Sequence, residues 1–94
     1  MSGEADVVRR RVLVSGRVQG VFFRDACRHE ARAAGVSGWV RNRGDGQVEA
    51  VFEGPLAAVE RMVAWCHVGP ARALVTGVQV TEEPPVGEPG FRVG

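Results

Sequence analysis

The stretch Gly16-Arg17-Val18-Gln19-Gly20-Val21-Phe22-Phe23-Arg24 joins two different hydrophobic periodicities. Before it, Val12, Leu13 and Val14 sit in an apolar run, Val8 to Ser15, that reads as a strand. After it, Phe23, Ala26, Cys27, Ala31 and Ala34 recur at helical spacing, with Arg24, Asp25, Arg28 and Arg32 at other positions and Gly35 suited to a left-handed stop. A strand therefore runs into a helix through a loop bounded by two glycines and closed by an arginine. The first amides of a helix have no intrahelical partner, and their dipoles sum to a partial positive charge. Glycines let the chain curl so that several such amides converge, which suits an anion such as phosphate. Arg24, one turn into the helix, adds a planar fork of donors that can grip phosphate oxygens in pairs.

The spacing excludes two other phosphate loops. No glycine is followed by the Lys and Ser/Thr of a P-loop, and the glycines are not placed as in a dinucleotide-binding turn. Spacing alone still allows a blander reading, with two glycines that only make a turn and an arginine that is a solvated surface group.

A second segment bears on that choice. Gly38 to Glu49, GWVRNRGDGQVE, has strand residues, a lone Asn42, a Gly-Asp-Gly turn and strand residues again, so it reads as a β-hairpin with Asp45 and Gly46 at the turn. Its arms are Val36 to Asn42 and Gln47 to Glu53. Gly54 and Pro55 then open a second helix in which proline loses no needed hydrogen bond, and Leu56, Val59, Met62, Val63 and Cys66 line it. Gly69 and Pro70 stop the helix, Gly77 to Glu82 alternates as a strand, Pro84 to Gly90 is a loop, and Phe91 to Val93 can close an edge. The order is strand, helix, strand, strand, helix, strand. Two helices on one face of a mostly antiparallel sheet is the ferredoxin-like α+β arrangement, βαββαβ.

The loop followed by a Gly-Trp-Val-x-Asn hairpin closely resembles the paired signature of the acylphosphatase family, and the resemblance runs from about Arg10 to Val93. It implies the same ferredoxin-like fold and a hydrolase that splits the carboxyl-phosphate bond of small acyl phosphates. By resemblance, Gly16, Arg17, Val18, Gln19, Gly20 and Val21 form the phosphate cradle with Arg24. Asn42 holds the attacking water. Arg24 and Asn42 are then the catalytic pair, with no metal and no cofactor. The implied partners are a small-molecule acyl phosphate and inorganic phosphate as product and inhibitor. Bisphosphoglycerate, acetyl phosphate and carbamoyl phosphate are all plausible substrates by the same resemblance. The signature also occurs as one module of hydrogenase maturation proteins, in much longer chains.

Composition agrees with one small domain. Ninety-four residues make a single core; residues 1–7 are expected to be a short flexible N-terminus and residues 8–94 the acylphosphatase-like domain. Hydrophobic content of 45% argues against disorder, and a net charge of +1 lacks the basic footprint of a nucleic-acid binder. All twelve basic residues are arginine, which excludes lysine chemistry such as a Schiff base. No segment has transmembrane length, and Met1 to Asp6 lacks the build of a secretory signal. A cytoplasmic monomer with neither membrane nor nucleic-acid partner is the expectation. Cys27 and Cys66 lack metal-ligand spacing and read as buried thiols without a disulfide.

The remaining candidates carry little chemistry. His29 lies beside arginines and His67 at a helix end, and neither reads as a base. Asp25 is a first-turn carboxylate that suits the helix dipole. Phe22, Phe23, Trp39 and Trp65 read as core, core-edge or loop packing. An RNA-binding module on the same fold would need stacking aromatics on its central strands, where only Phe52 is present. The rival that survives is a noncatalytic phosphate or acyl-phosphate-binding module, which would keep the cradle but have no use for Asn42.

Overall fold

The computed structural model describes residues 6–94. Five strands and two helices follow in the order β1 Val7–Arg17, α1 Phe23–Ala34, β2 Ser37–Asn42, β3 Val48–Pro55, α2 Leu56–Cys66, β4 Leu74–Glu83 and β5 Phe91–Val93. The sheet order is β4-β1-β3-β2-β5, antiparallel throughout except for β5, which lies parallel to β2. This is the ferredoxin-like arrangement with a short fifth strand added at one edge.

Both helices bury one side on the same face of the sheet. Phe23, Cys27 and Ala31 of α1 and Val59, Met62 and Cys66 of α2 share one core with Val12, Val14, Val40, Val48, Ala50 and Phe52. The strand residues alternate because successive side chains leave a strand on opposite faces. Phe52 stacks against Phe91 at 5.9 Å between centroids, which pins the short fifth strand to the core. Gly35 ends α1 in the left-handed conformation at φ 74°, with its own amide and that of Val36 donating to the carbonyls of Arg32 and Ala31.

The opposite face carries no helix. There Arg9, Arg11 and Arg41 alternate with Glu49, Glu53 and Glu83. Trp39, expected in the core or at its edge, is half-buried on this face, with the guanidinium groups of Arg11 and Arg41 each 5.5 Å from its ring centroid. The reason is register: Trp39 pairs with Val51, whose side chain also leaves the sheet away from the helices, while neighbouring Val40 points to the core.

Several boundaries differ from expectation. β1 starts at Val7 and runs to Arg17, because Gly16 and Arg17 continue to pair with Val75 and Leu74 of β4 after a register shift. Of the expected flexible stretch 1–7, residues 1–5 lie outside the described residues, and Val7 is already strand. β4 begins at Leu74, three residues ahead of expectation, because it extends to pair with the longer β1.

Candidate functional site

β1 and β2 are both antiparallel to β3, so they run in the same direction and their C-terminal ends meet at one end of the sheet. Val48 at the start of β3 pairs with Val14 on one side and Asn42 on the other. Adjacent strands are about 4.8 Å apart, so the chain leaving β1 passes within roughly 10 Å of Asn42. The loop after β1 turns back there into α1. Topology alone thus brings residues far apart in sequence to one place.

A cleft of about 360 Å³ opens at this end, lined by Val18, Gly20, Phe22, Phe23, Arg24, Asp25, Asn42 and Val93. The first intrahelical bond of α1 runs from the amide of Ala26 to the carbonyl of Phe22 at 3.1 Å. The amides of Phe23, Arg24 and Asp25 precede it and have no intrahelical acceptor. No side chain caps them. Among the described residues no Asp or Glu side chain pairs with Arg24, whose Nη1 donates instead to the main-chain oxygen of Gly94, the last residue of the sequence, at 2.9 Å. Asp25, which also lines the cleft, accepts from Arg28 at 3.4 Å. The cleft therefore gathers unpaired amides, a guanidinium bonded to no Asp or Glu side chain among the described residues, and a carboxamide.

The structure gives the loop residues unequal places. Gly20, Arg24 and Asn42 line the cleft together with Val18, which is itself buried like Val21, and Gly16 and Arg17 belong to β1. Gly16 has a local reason to be glycine: at φ 117° a Cβ there would run into the carbonyl oxygen of Leu74 and lie 2.8 Å from the amide nitrogen of Thr76. Gly20, at φ 75°, supplies the turn of the loop itself.

Gln19 points away from the cleft. Its Nε2 donates to the carbonyls of Arg43 at 2.8 Å and Gln47 at 2.9 Å. Those two residues close the hairpin, where the Arg43 amide donates to the Gln47 carbonyl at 2.8 Å. Gln47 in turn donates through its side chain to the Ser15 hydroxyl at 2.6 Å. The loop after β1 and the hairpin that carries Asn42 are stitched together twice. Asp45 stiffens the turn by accepting from the Gln47 amide and the Arg43 guanidinium, which holds its carboxyl below the usual range. Nothing in the sequence spacing announces these bonds.

The family model for acylphosphatase matches residues 10–93. The chain belongs to the acylphosphatase family. It is 58% identical over 94 residues to an acylphosphatase of Rubrobacter xylanophilus, covering 99% of this chain and 86% of that one. Two solved structures superpose closely. An acylphosphatase from Coxiella burnetii gives a TM-score of 0.92 at 34% identity, covering 99% of this chain and 100% of that one. An acylphosphatase from Bacillus subtilis gives 0.89 at 39% identity, covering 93% and 98%.

Two phenylalanines follow the loop, and only one packs as expected of both. Phe23 is buried and tilts against Trp65 with ring centroids 5.1 Å apart. Phe22 is exposed at the mouth of the cleft, which corrects the expectation that both rings are structural. Cys27 and Cys66 are free and buried, and removal from water pushes both thiols up, Cys66 to about 12. At neutral pH they are protonated and poor nucleophiles. Among the described residues no three His, Cys, Asp or Glu side chains gather as a metal site, and no helix is long and apolar enough to cross a membrane.

Proposed function

We propose that this chain hydrolyses the carboxyl-phosphate bond of small acyl phosphates to a carboxylate and orthophosphate. The observation that carries the proposal is the meeting of Arg24, bonded to no Asp or Glu side chain among the described residues, with the unpaired amides of α1 and with Asn42 around one cleft. Family membership supplies the substrate class.

The chemistry asks for few side chains. An acyl phosphate already has a stabilised carboxylate as leaving group, so its cleavage does not require a strong general acid. Phosphoryl transfer passes through a loose transition state with charge on the equatorial oxygens. Amides and a guanidinium held in advance meet that charge without reorganising. In this reading the loop from Gly16 through Arg17, Val18, Gln19, Gly20 and Val21 shapes the cradle, with Val18 and Gly20 nearest the ligand. Arg24 exchanges its bond to the Gly94 main-chain oxygen for the phosphoryl oxygens. Asn42, a poor base, orients water in line with the breaking P–O bond. Gln19 keeps the cradle and Asn42 in register.

The reading includes a monomer that acts in the cytoplasm on a small molecule, with no metal, membrane or nucleic-acid partner. Free, buried thiols suit a reducing compartment. The test is the loss of benzoyl phosphate absorbance with and without orthophosphate, and again with a chelator. Hydrolysis that orthophosphate inhibits competitively and the chelator leaves intact is expected. Binding of orthophosphate without hydrolysis would leave only a sensor.

A further inference from the structure

Phe22 is strained as well as exposed. Its φ is 64°, and it is the only non-glycine residue with positive φ among the described residues. A bulky side chain in the left-handed region is an outlier, and such outliers persist where the surroundings hold them for a purpose. Phe22 occupies the N-cap of α1, a position that favours Ser, Thr, Asp or Asn, and makes no capping bond there. The residue is 72% exposed. Neither helix initiation nor the core explains a phenylalanine at this place.

The cleft is lined by groups of two kinds. Arg24, Asn42 and the amides of α1 are polar and suit a phosphoryl group. Phe22 and the half-buried Val93 are apolar and offer a dianion nothing, while Val18 beside them is buried in the core. A volume of about 360 Å³ sits at the low end of small-ligand pockets, which run from roughly 300 to 1,000 Å³. Of the large exposed apolar side chains, only Phe22 lines this cleft.

We infer that Phe22 is the wall against which the acyl group of the substrate packs, so that the enzyme prefers acyl phosphates with flat or extended apolar acyl groups to those with short or polar ones. This rests on the acyl phosphate hydrolysis proposed above. The left-handed backbone turns one ring outward while its neighbour Phe23 goes to the core, and the outward ring lies beside the cradle. Burying it against a substrate removes apolar area from water. Acetyl and carbamoyl groups are too small or too polar to use that surface fully.

The test compares benzoyl phosphate and acetyl phosphate as substrates for the parent chain, Phe22→Asn, Phe22→Gly and Phe22→Leu. Asn and Gly tolerate the left-handed backbone, so both variants should fold with a thermal midpoint at or above that of the parent. In both, the ratio of kcat/KM for benzoyl phosphate to that for acetyl phosphate should fall about tenfold, the scale of a lost apolar contact, mainly through KM for benzoyl phosphate. Phe22→Leu should recover part of the ratio. The inhibition constant of orthophosphate should stay within about twofold, since phosphate alone does not reach the wall. An unchanged ratio in an active parent and its variants, or an equal loss for both substrates with weakened phosphate inhibition, would overturn the role of Phe22 alone. A parent that hydrolyses neither substrate would overturn the catalytic reading and this inference with it.

Discussion

The arginines of the uncovered sheet face and the arginine of the cleft are the same side chain in opposite circumstances. Arg9 is buried and bonded to three carboxylates, those of Glu53 at 3.2 Å, Glu83 at 2.9 Å and Glu88 at 2.9 Å. Burial opposes its charge, but the three carboxylates outweigh that and hold its pKa above the ordinary value. Arg11 bridges Glu49 and Glu83, and Arg41 joins Glu49 from the next strand. Arg24 bonds to no Glu or Asp side chain among the described residues and has only the main-chain oxygen of Gly94, at an exposed position. Arginines locked among several Glu side chains contribute to the fold, whereas one held by a single exposed bond can exchange it for an incoming anion.

Removing each kind should break different properties. Arg24→Ala should lower kcat/KM by at least about a thousandfold, the scale of an arginine that meets phosphoryl charge. The same variant should lose under about 1 kcal/mol of stability, since one exposed hydrogen bond goes. Denaturant titration beside steady-state kinetics checks both halves, and loss of orthophosphate inhibition should accompany the loss of rate.

Glu53→Ala should do the reverse. Its carboxylate accepts from Arg9 and from the amides of Val86, Gly87 and Glu88, so its loss takes one of three carboxylates from the buried Arg9 and releases the loop before β5. A cost of about 3 kcal/mol is expected, measured by urea unfolding, with kcat little changed in the molecules that remain folded. An equal loss of activity per folded molecule would show that the two arginine environments are not separable.

Asn42→Ala sharpens the division inside the cleft. Turnover should fall about a hundredfold while orthophosphate binds nearly as before, because an interaction made only in the transition state lowers kcat without weakening the ground state. Gln19→Leu removes both bonds to the hairpin carbonyls and should lower kcat about tenfold, less than loss of Asn42 itself. Rescue by shortening the hairpin would not be expected, because register rather than length is what Gln19 supplies.

The smallest effect concerns pH. Hydrogen bonds from Arg11 and Arg9 hold the Glu83 carboxyl below the ordinary glutamate value of 4.5. Burial works against ionisation of Glu49 and Glu53, but bonds from Arg41 and Arg11 in one case and from the loop amides and Arg9 in the other keep both lowered as well. A lowered folded-state value stabilises the fold above the unfolded-state value, and that stability is lost as pH falls through the folded-state value. The thermal midpoint should therefore be flat above about pH 5 and decline below it, with a shallower decline in Glu83→Gln.

Much of this molecule is legible in the order of its residues. The change of period across Gly16 to Arg24 marks a strand giving way to a helix, Gly35 marks the end of that helix, and Pro55 the start of the next. Each is a local effect: backbone conformation follows from side-chain alternation, from glycine tolerance of positive φ and from the missing proline amide. The α2 limits at Leu56 and Cys66 and the short strand at Phe91 were readable for the same reason. Arg24 and Asn42 were readable as candidates because the loop and the hairpin carry a paired signature.

Other features exist only across the fold. The partners of Arg9 lie 44 to 79 residues away, and Gln19 reaches 24 and 28 residues along the chain. Gly16 reads as a loop glycine, yet its space is set by β4. Trp39 reads as core, yet pairing with Val51 turns it to the face without helices. Phe22 and Phe23 are indistinguishable as letters, and one left-handed residue sends their rings to opposite environments.

The sequence by itself determined the elements, their order, the family and the two residues on which the chemistry is proposed to turn, because these depend on local backbone preference and on a compact signature. Tertiary structure alone decided which arginines are locked among Glu side chains and which lines the cleft, that Gln19 ties the cradle to the hairpin of Asn42, and that Phe22 lines the cleft. Charge pairing, hydrogen-bond direction and exposure are set by distance in space, and strand pairing converts separations of tens of residues into a few ångströms.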